Sequence, residues 1–203
     1  MVFVIVILRL NVKKQLKDIA KLASGVYLKP GISNEVLYLQ AVHFDSMGVP
    51  DPIQTPRVGL NEKSLNHILR ENDVLFAAKG INNFGVVYRS EFGQAVASSS
   101  FIVIRLHSTE DINPEYLAWF LSTTPAIQEF HQRQLGSTIP SISIEKLKNL
   151  EVVIPTMEKQ RLIVQIQYLK DKEEKLTQKL LNAKDEKVKK LLLNVVNHAN
   201  EQG

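Results

Sequence analysis

Cysteine is absent from the 203 residues, which removes disulfides, zinc–thiolate sites and thiol nucleophiles from consideration. A reducing interior suits such a chain, and the expected location is the cytoplasm. Long apolar runs are also lacking. The longest at the start, Met1 to Leu8, holds eight residues, far short of the ~20 that span a bilayer. No basic region precedes it and no small-residue cleavage site follows it, so it reads as a buried β-branched strand and not as a signal peptide or membrane anchor. Glycine and proline, sparse at 9 and 8 residues, vanish altogether between Glu158 and His198. The excess of positive over negative charge is small too: 25 lysines and arginines against 21 aspartates and glutamates leave a net formal charge of +4, with 44% hydrophobic and 23% charged residues. This is the composition of an ordinary globular protein that tolerates an anionic partner.

The length suits one compact domain with an appendage, or two small domains. The apolar positions Val12, Leu16, Ile19 and Ala23 predict a short helix over Asn11–Ala23, ending at Ser24-Gly25. Glu35–Val42 predicts a strand, and Ser46–Gly59, rich in glycine and proline, an irregular loop. Asp73–Ala78 and Gly85–Tyr88 predict strands around a turn at Gly80–Asn83. Gln94–Leu106 predicts a strand region interrupted by Ser98-Ser99-Ser100. Asn113-Pro114-Glu115 predicts a helix start, because asparagine caps, proline fits the first turn and glutamate suits the positive end. A second helix is expected over Pro125–Gln134, and a strand over Leu150–Ile154, stopped by Pro155. The fold class is therefore α+β: a mixed α/β domain over residues 1–155, then a long helix over 156–203. In that helix Leu162, Ile166, Leu169, Leu176, Leu180, Val188, Leu192 and Val195 form an apolar seam, with Glu173 at one seam position and a slip in register after Leu180. A small domain cannot cover a seam of this length, so it implies a coiled-coil partner, here a second copy.

Catalytic signatures fail one after another. Asn113-Pro-Glu-Tyr116 echoes a motif of adenine methyltransferases, but capping accounts for it and no glycine-rich loop follows a strand to hold the methyl donor. Gly80 and Gly85 have the outer spacing of a phosphate loop, yet Val86-Val87 stand where lysine and a hydroxyl are required. Glu173-Glu174-Lys175 matches a nuclease fragment but sits on the long helix, where solvated charge is the default. His43, His67, His107, His131 and His198 show no metal-ligand spacing. No cofactor and no metal are expected. What remains is a set of polar loops between apolar strands. Lys79, Asn82, Asn83, Arg89 and Ser99 fall in the β region, and Gln132, Arg133, Gln134, Ser137 and Thr138 end the second predicted helix. Such side chains suit double-stranded DNA: lysine and arginine neutralise phosphates, hydroxyls fix the backbone register, and amides pair bidentately with adenine.

The order of segments resembles the specificity subunit of type I restriction–modification systems. The likeness rests on Leu16-Lys-Asp-Ile-Ala20, Val36-Leu-Tyr-Leu-Gln40, Glu71-Asn-Asp-Val-Leu75 (with Asn72 where the family usually has glycine) and Ala78-Lys-Gly80. It continues through Ile112-Asn-Pro-Glu-Tyr-Leu117, Gly136-Ser-Thr138, Leu147-Lys-Asn-Leu150, Val153-Ile-Pro155 and Glu158-Lys-Gln160. It covers about residues 16–170 and is specific in its order. One proline follows the strand where the family often has two, and residues 1–11 have no counterpart. A full-length member carries two such units with paired antiparallel helices. The resemblance therefore implies a half-size subunit that dimerises and reads a bipartite site. It further implies partner methyltransferase subunits that hold the cofactor and a restriction translocase that cuts, with no catalysis by this chain. A coiled-coil adaptor would lack salt-sensitive DNA affinity, and a recognition fragment of an adenine-specific methyltransferase would bind the methyl donor; those are the alternatives.

Overall fold

The computed structural model describes residues 12–29, 35–45, 48–51, 53–59, 62–80, 82–123, 126 and 141–200, with the side chains of 63 and 195–200 left aside. The apolar run at residues 1–11 and most of the helix expected over Pro125–Gln134 lie outside them. The chain divides into two compact units, Met1–Gln165 and Ile166–Gly203. The division falls inside the long helix.

In the first unit, β1 (Val12–Gln15) pairs antiparallel with β9 (Glu151–Ile154), so the first and last strands of the domain close on one another. The central sheet has the order β2-β8-β5-β6, from Ala20–Ser24, Phe101–Leu106, Val74–Ala77 and Gly85–Val87, all antiparallel. A third sheet sets β3 (Val36–Leu39) between β4 (Arg57–Val58) and β7 (Ala95–Ala97), the last pairing parallel. At the centre of that sheet β5 is buried on both faces, which is why it is apolar at consecutive positions, whereas the edge strand β2 exposes Lys21, Ala23 and Ser24. Along β5, Val74 and Phe76 enter the core that includes Leu16, Ile104, Leu117 and Leu147, while Leu75 and Ala77 enter the core around Leu39, Tyr88 and Phe101.

The helix expected over Asn11–Ala23 is not formed as such. Only one turn, α1 (Leu16–Ile19), is helical, and the residues on either side are β1 and β2. Pairing with β9 and β8 satisfies a whole strand of backbone groups, and it outweighs the weak helical signal. Leu16 and Ile19, three residues apart, still bury together. The loop expected over Ser46–Gly59 contains the short strand β4. A single turn, α2, spans Glu62–Leu65. The helix opened by Asn113 is α3 (Pro114–Leu121): Asn113 Oδ1 accepts from the Glu115 amide at 2.8 Å and the Tyr116 amide at 3.1 Å. A further turn, α4 (Ile144–Lys148), is capped by Ser143 and was not anticipated.

The long helix α5 runs Met157–Asn200. Its first turns belong to the domain through Gln160, whose side chain is fully buried. Gln160 Nε2 donates to Asp111 O at 2.8 Å and Pro155 O at 2.9 Å, and its Oε1 accepts from the Asn113 amide at 2.8 Å. In the second unit every described side chain from Lys172 to Asn194 is exposed. No helix among the described residues is long and apolar enough to cross a membrane.

Candidate nucleic-acid interface

Three chain segments meet beyond the end of β5. The Ala78 amide donates to Ser100 O at 2.9 Å, the Ile142 amide donates to Ala78 O at 2.8 Å, and Lys79 bridges to Ser141. The turn at Ser98–Ser100 is closed by the Phe101 amide on Ser98 O at 2.9 Å and by a 2.6 Å contact between the Ser98 and Ser100 hydroxyls. Gly25 lies hard against that turn. A Cβ there would stand 2.0 Å from Ser98 O, so only glycine lets the two backbones approach. Behind the junction, Phe44, Phe84 and Phe101 pack edge to face with centroids 5.7 to 6.5 Å apart. Polar loop ends are thus carried on a rigid apolar base, as a surface that must hold its donors in fixed positions requires.

Within this junction Lys79 and Asn82 are exposed and Ser99 is partly exposed. Gly80, at φ 99°, turns the chain in open space. Asn83 differs: its side chain is buried, and its amide donates to Ala77 O at 2.8 Å, so it braces the turn from inside. Arg89 is also engaged within the chain. Its guanidinium contacts the Glu115 carboxylate, reaches Glu71 Oε1 at 3.2 Å and donates to Asn72 Oδ1 at 2.6 Å. Asn72 has a φ of 69°, the left-handed conformation in which glycine is usual and asparagine tolerated. The Ser90 amide, bonded to Glu71 at 2.6 Å, holds that carboxyl below its ordinary range, with Arg89 adding to the effect. Arg105 is likewise committed, bidentate to the buried Asp73 at 2.7 and 2.5 Å, and that pairing raises the guanidinium further. Gln132, Arg133, Gln134, Ser137 and Thr138 lie outside the described residues.

Two exposed residues escaped the sequence reading. Val26 bridges to Ser98 beside the turn, and Val26 and Leu28 are buried while Tyr27 is 66% exposed and Lys29 is exposed. The in–out alternation of Val26-Tyr-Leu-Lys29 is a strand signal that points Tyr27 and Lys29 outward. Elsewhere, Tyr116 of the Asn-Pro-Glu-Tyr segment is 2% exposed and donates to Val153 O at 2.6 Å, and its burial raises the phenol above its usual range. That motif is a helix cap and a core tyrosine. Among the described residues no three histidine, aspartate or glutamate side chains gather as metal ligands.

The first unit is a mixed α/β domain that carries a polar loop junction, and the long helix leaves leucines exposed along its length. The chain belongs to the family described as the type I restriction modification DNA specificity domain, whose model matches residues 10–183. It is similar to a chain in a structure described as the structural basis underlying complex assembly and conformational transition of the type I R-M system. That match has 14% identity and a TM-score of 0.63, covering 89% of this chain and 43% of that one. It is also similar to the S subunit of the type I restriction-modification system from M. genitalium, at 16% identity and TM-score 0.52, covering 76% of this chain and 37% of that one. The HsdS subunit from Thermoanaerobacter tengcongensis matches at 14% identity and TM-score 0.55, with coverage of 80% and 37%. These likenesses concern the fold, and the chain spans well under half the length of each. No curated protein matches it.

Proposed function

We propose that this chain is the sequence-specific DNA-recognition subunit of a type I restriction–modification complex, with no catalytic site of its own. Residues 1–155 read DNA, and residues 156–203 are the spacer and dimerisation helix. It directs methyltransferase and restriction-translocase subunits to a bipartite target in the cytoplasm. The observation that carries this reading is the family match, which extends through the domain and well into α5. The exposed leucines of α5 support self-pairing, because a stripe such as Leu169, Leu176 and Leu180, each more than half exposed, is an aggregation liability until covered. A two-fold dimer reads a two-fold site, so the target is a palindrome interrupted by a fixed spacer. Lys79, Asn82 and Ser99 face the DNA in this reading, with Tyr27 and Lys29 added to them. Gln132, Arg133, Gln134, Ser137 and Thr138 remain candidates from the sequence. Asn83 and Arg89 serve the interface by bracing it.

Methylome sequencing of cells expressing the chain with its neighbouring methyltransferase tests this directly. Methylated adenines in an interrupted palindrome are the expected result. An unchanged methylome, together with purified chain that shows no salt-sensitive DNA affinity, would overturn it.

A further inference from the structure

The apolar stripe of α5 repeats every eleven residues. Leu162, Glu173, Lys184 and Val195 stand eleven apart, as do Leu169, Leu180 and Leu191, and Ile166, Thr177 and Val188. Eleven residues make about three helical turns at 3.67 residues each, so the stripe stays on one side of the helix where a heptad reading slips. Its leucine, isoleucine and valine positions from Leu162 to Leu191 are 53% to 59% exposed. Glu173 and Lys184 are the charged members of the stripe. Both are exposed, and neither has an ion-pair partner among the described residues.

We propose that α5 pairs antiparallel with α5 of a second copy, in the one register that sets Glu173 against the partner's Lys184, and Lys184 against the partner's Glu173. Within each repeat the stripe occupies the first, fifth and eighth places. Reversing chain direction carries the first place onto itself and exchanges the other two, so identical helices meet layer for layer. Ile166 then faces the partner's Leu191 and Leu169 the partner's Val188. On the flank, Leu176 meets the partner's Leu181. The two-fold axis passes between Gln178 and Lys179.

Charge selects this arrangement from its rivals. Parallel, in-register pairing stacks Glu173 on Glu173 and Lys184 on Lys184. Sliding the antiparallel pair by one repeat matches the apolar places equally well but sets either Glu173 against its own copy or Lys184 against its own copy. Like charges so placed are costly, and a polar pair within an apolar seam is the usual device for fixing register. The one unfavourable meeting, Lys170 with the partner's Lys187, lies at the margin. There Glu174 Oε1, 3.5 Å from Lys170 Nζ, already offsets it.

The inference rests on the self-pairing proposed above, and its test separates the two. The native chain has no cysteine, so introduced thiols report alone. A mixture of Leu169→Cys and Val188→Cys chains should form a disulfide between the two variants on mild oxidation, while neither variant cross-links to itself. Glu173→Lys or Lys184→Glu alone should raise the dimer dissociation constant roughly tenfold or more, and the double exchange should restore it. A dimer in which Leu169→Cys cross-links to itself, or in which the double exchange is as weak as the two changes combined, overturns the register and leaves self-pairing standing. A parent chain that sediments as a monomer at micromolar concentration overturns both.

Discussion

Replacing Gln160 should uncouple α5 from the domain at a definable cost. Its amide is fully buried and satisfies three backbone groups at once: the Asn113 amide and the carbonyls of Asp111 and Pro155, all within 2.9 Å. Gln160→Leu keeps most of the volume and leaves all three without this partner. An unsatisfied buried group costs ~1–3 kcal/mol. The three bonds are only part-buried and Asp111 is exposed, so water reaches some of the freed groups; about 1–3 kcal/mol is expected, set against the ~5–15 kcal/mol that stabilises a domain. Gln160→Glu sharpens the test. A carboxylate can still accept from Asn113, but it turns a second oxygen towards two carbonyls, so its pKa in the folded state is raised. A group raised on folding contributes fully below its unfolded pKa and loses that contribution as pH rises through the folded value. Gln160→Glu should therefore be closer to the parent at acid pH than at neutral pH, whereas Gln160→Leu should show no such trend. Trp119, the single tryptophan, lies on α3 beside Tyr116. Its fluorescence during urea unfolding follows the domain and not the long helix. A Gln160→Leu midpoint equivalent to less than ~1 kcal/mol of destabilisation would refute the reasoning.

Gly25→Ala should unfold or severely weaken the domain, since the new carbon would overlap Ser98 O and Ala97 O at 2.0 and 2.7 Å, both backbone atoms. The loss should lie at or above the top of the ~1–3 kcal/mol range for overpacking, and a parent-like urea midpoint would reject the close approach. Lys79→Ala should lower the salt slope of DNA binding by roughly one unit on every sequence, while Arg89→Ala should leave the slope unchanged and lower the melting temperature. Equal slope losses in the two variants would return Arg89 to the interface. Burial lowers the His43 imidazole below the ordinary range, Asp51 partly opposing it. The unfolded chain then takes up the proton first, so stability is complete above pH ~6.5 and declines as pH falls through that value towards the lower folded pKa. His43→Gln should flatten that decline, and an unaltered pH profile of stability would exclude His43 as its source.

Local chemistry was legible where one cause suffices. Asparagine, proline and glutamate at 113–115 specify a helix start by themselves, and α3 begins there. The apolar run Asp73–Ala78 reads as a strand because β5 is buried on both faces. The segment Asn11–Ala23 misled because the competing pairings, with β9 and β8, come from residues far along the chain, such as Ile154 for Val12 and Val103 for Ala23, and no local pattern reports them. Gln160 was visible only as part of a family-like run. Its reason is tertiary: it closes the loop before α3 and the turn before α5 with one side chain.

Charge was the least legible layer, and the physical cause is specific. Lys79 and Arg89 look equivalent in the sequence, each a cation at a strand end, yet their surroundings separate them. Arg89 meets Glu71, Asn72 and Glu115, contributed by a turn and a helix distant along the chain. A planar guanidinium is suited to holding several oxygens at once. Lys79 follows Ala78, whose amide and carbonyl are taken by Ser100 and Ile142, and its own side chain is exposed. A phosphate approaching Arg89 must displace two carboxylates and is repelled by them meanwhile; one approaching Lys79 displaces water. Counting basic residues cannot distinguish these cases, because the difference lies in the partners. The same rule operates in the opposite sense on α5. There Glu173 and Lys184 lack partners among the described residues, and eleven-residue spacing makes each the complement of the other in a second copy.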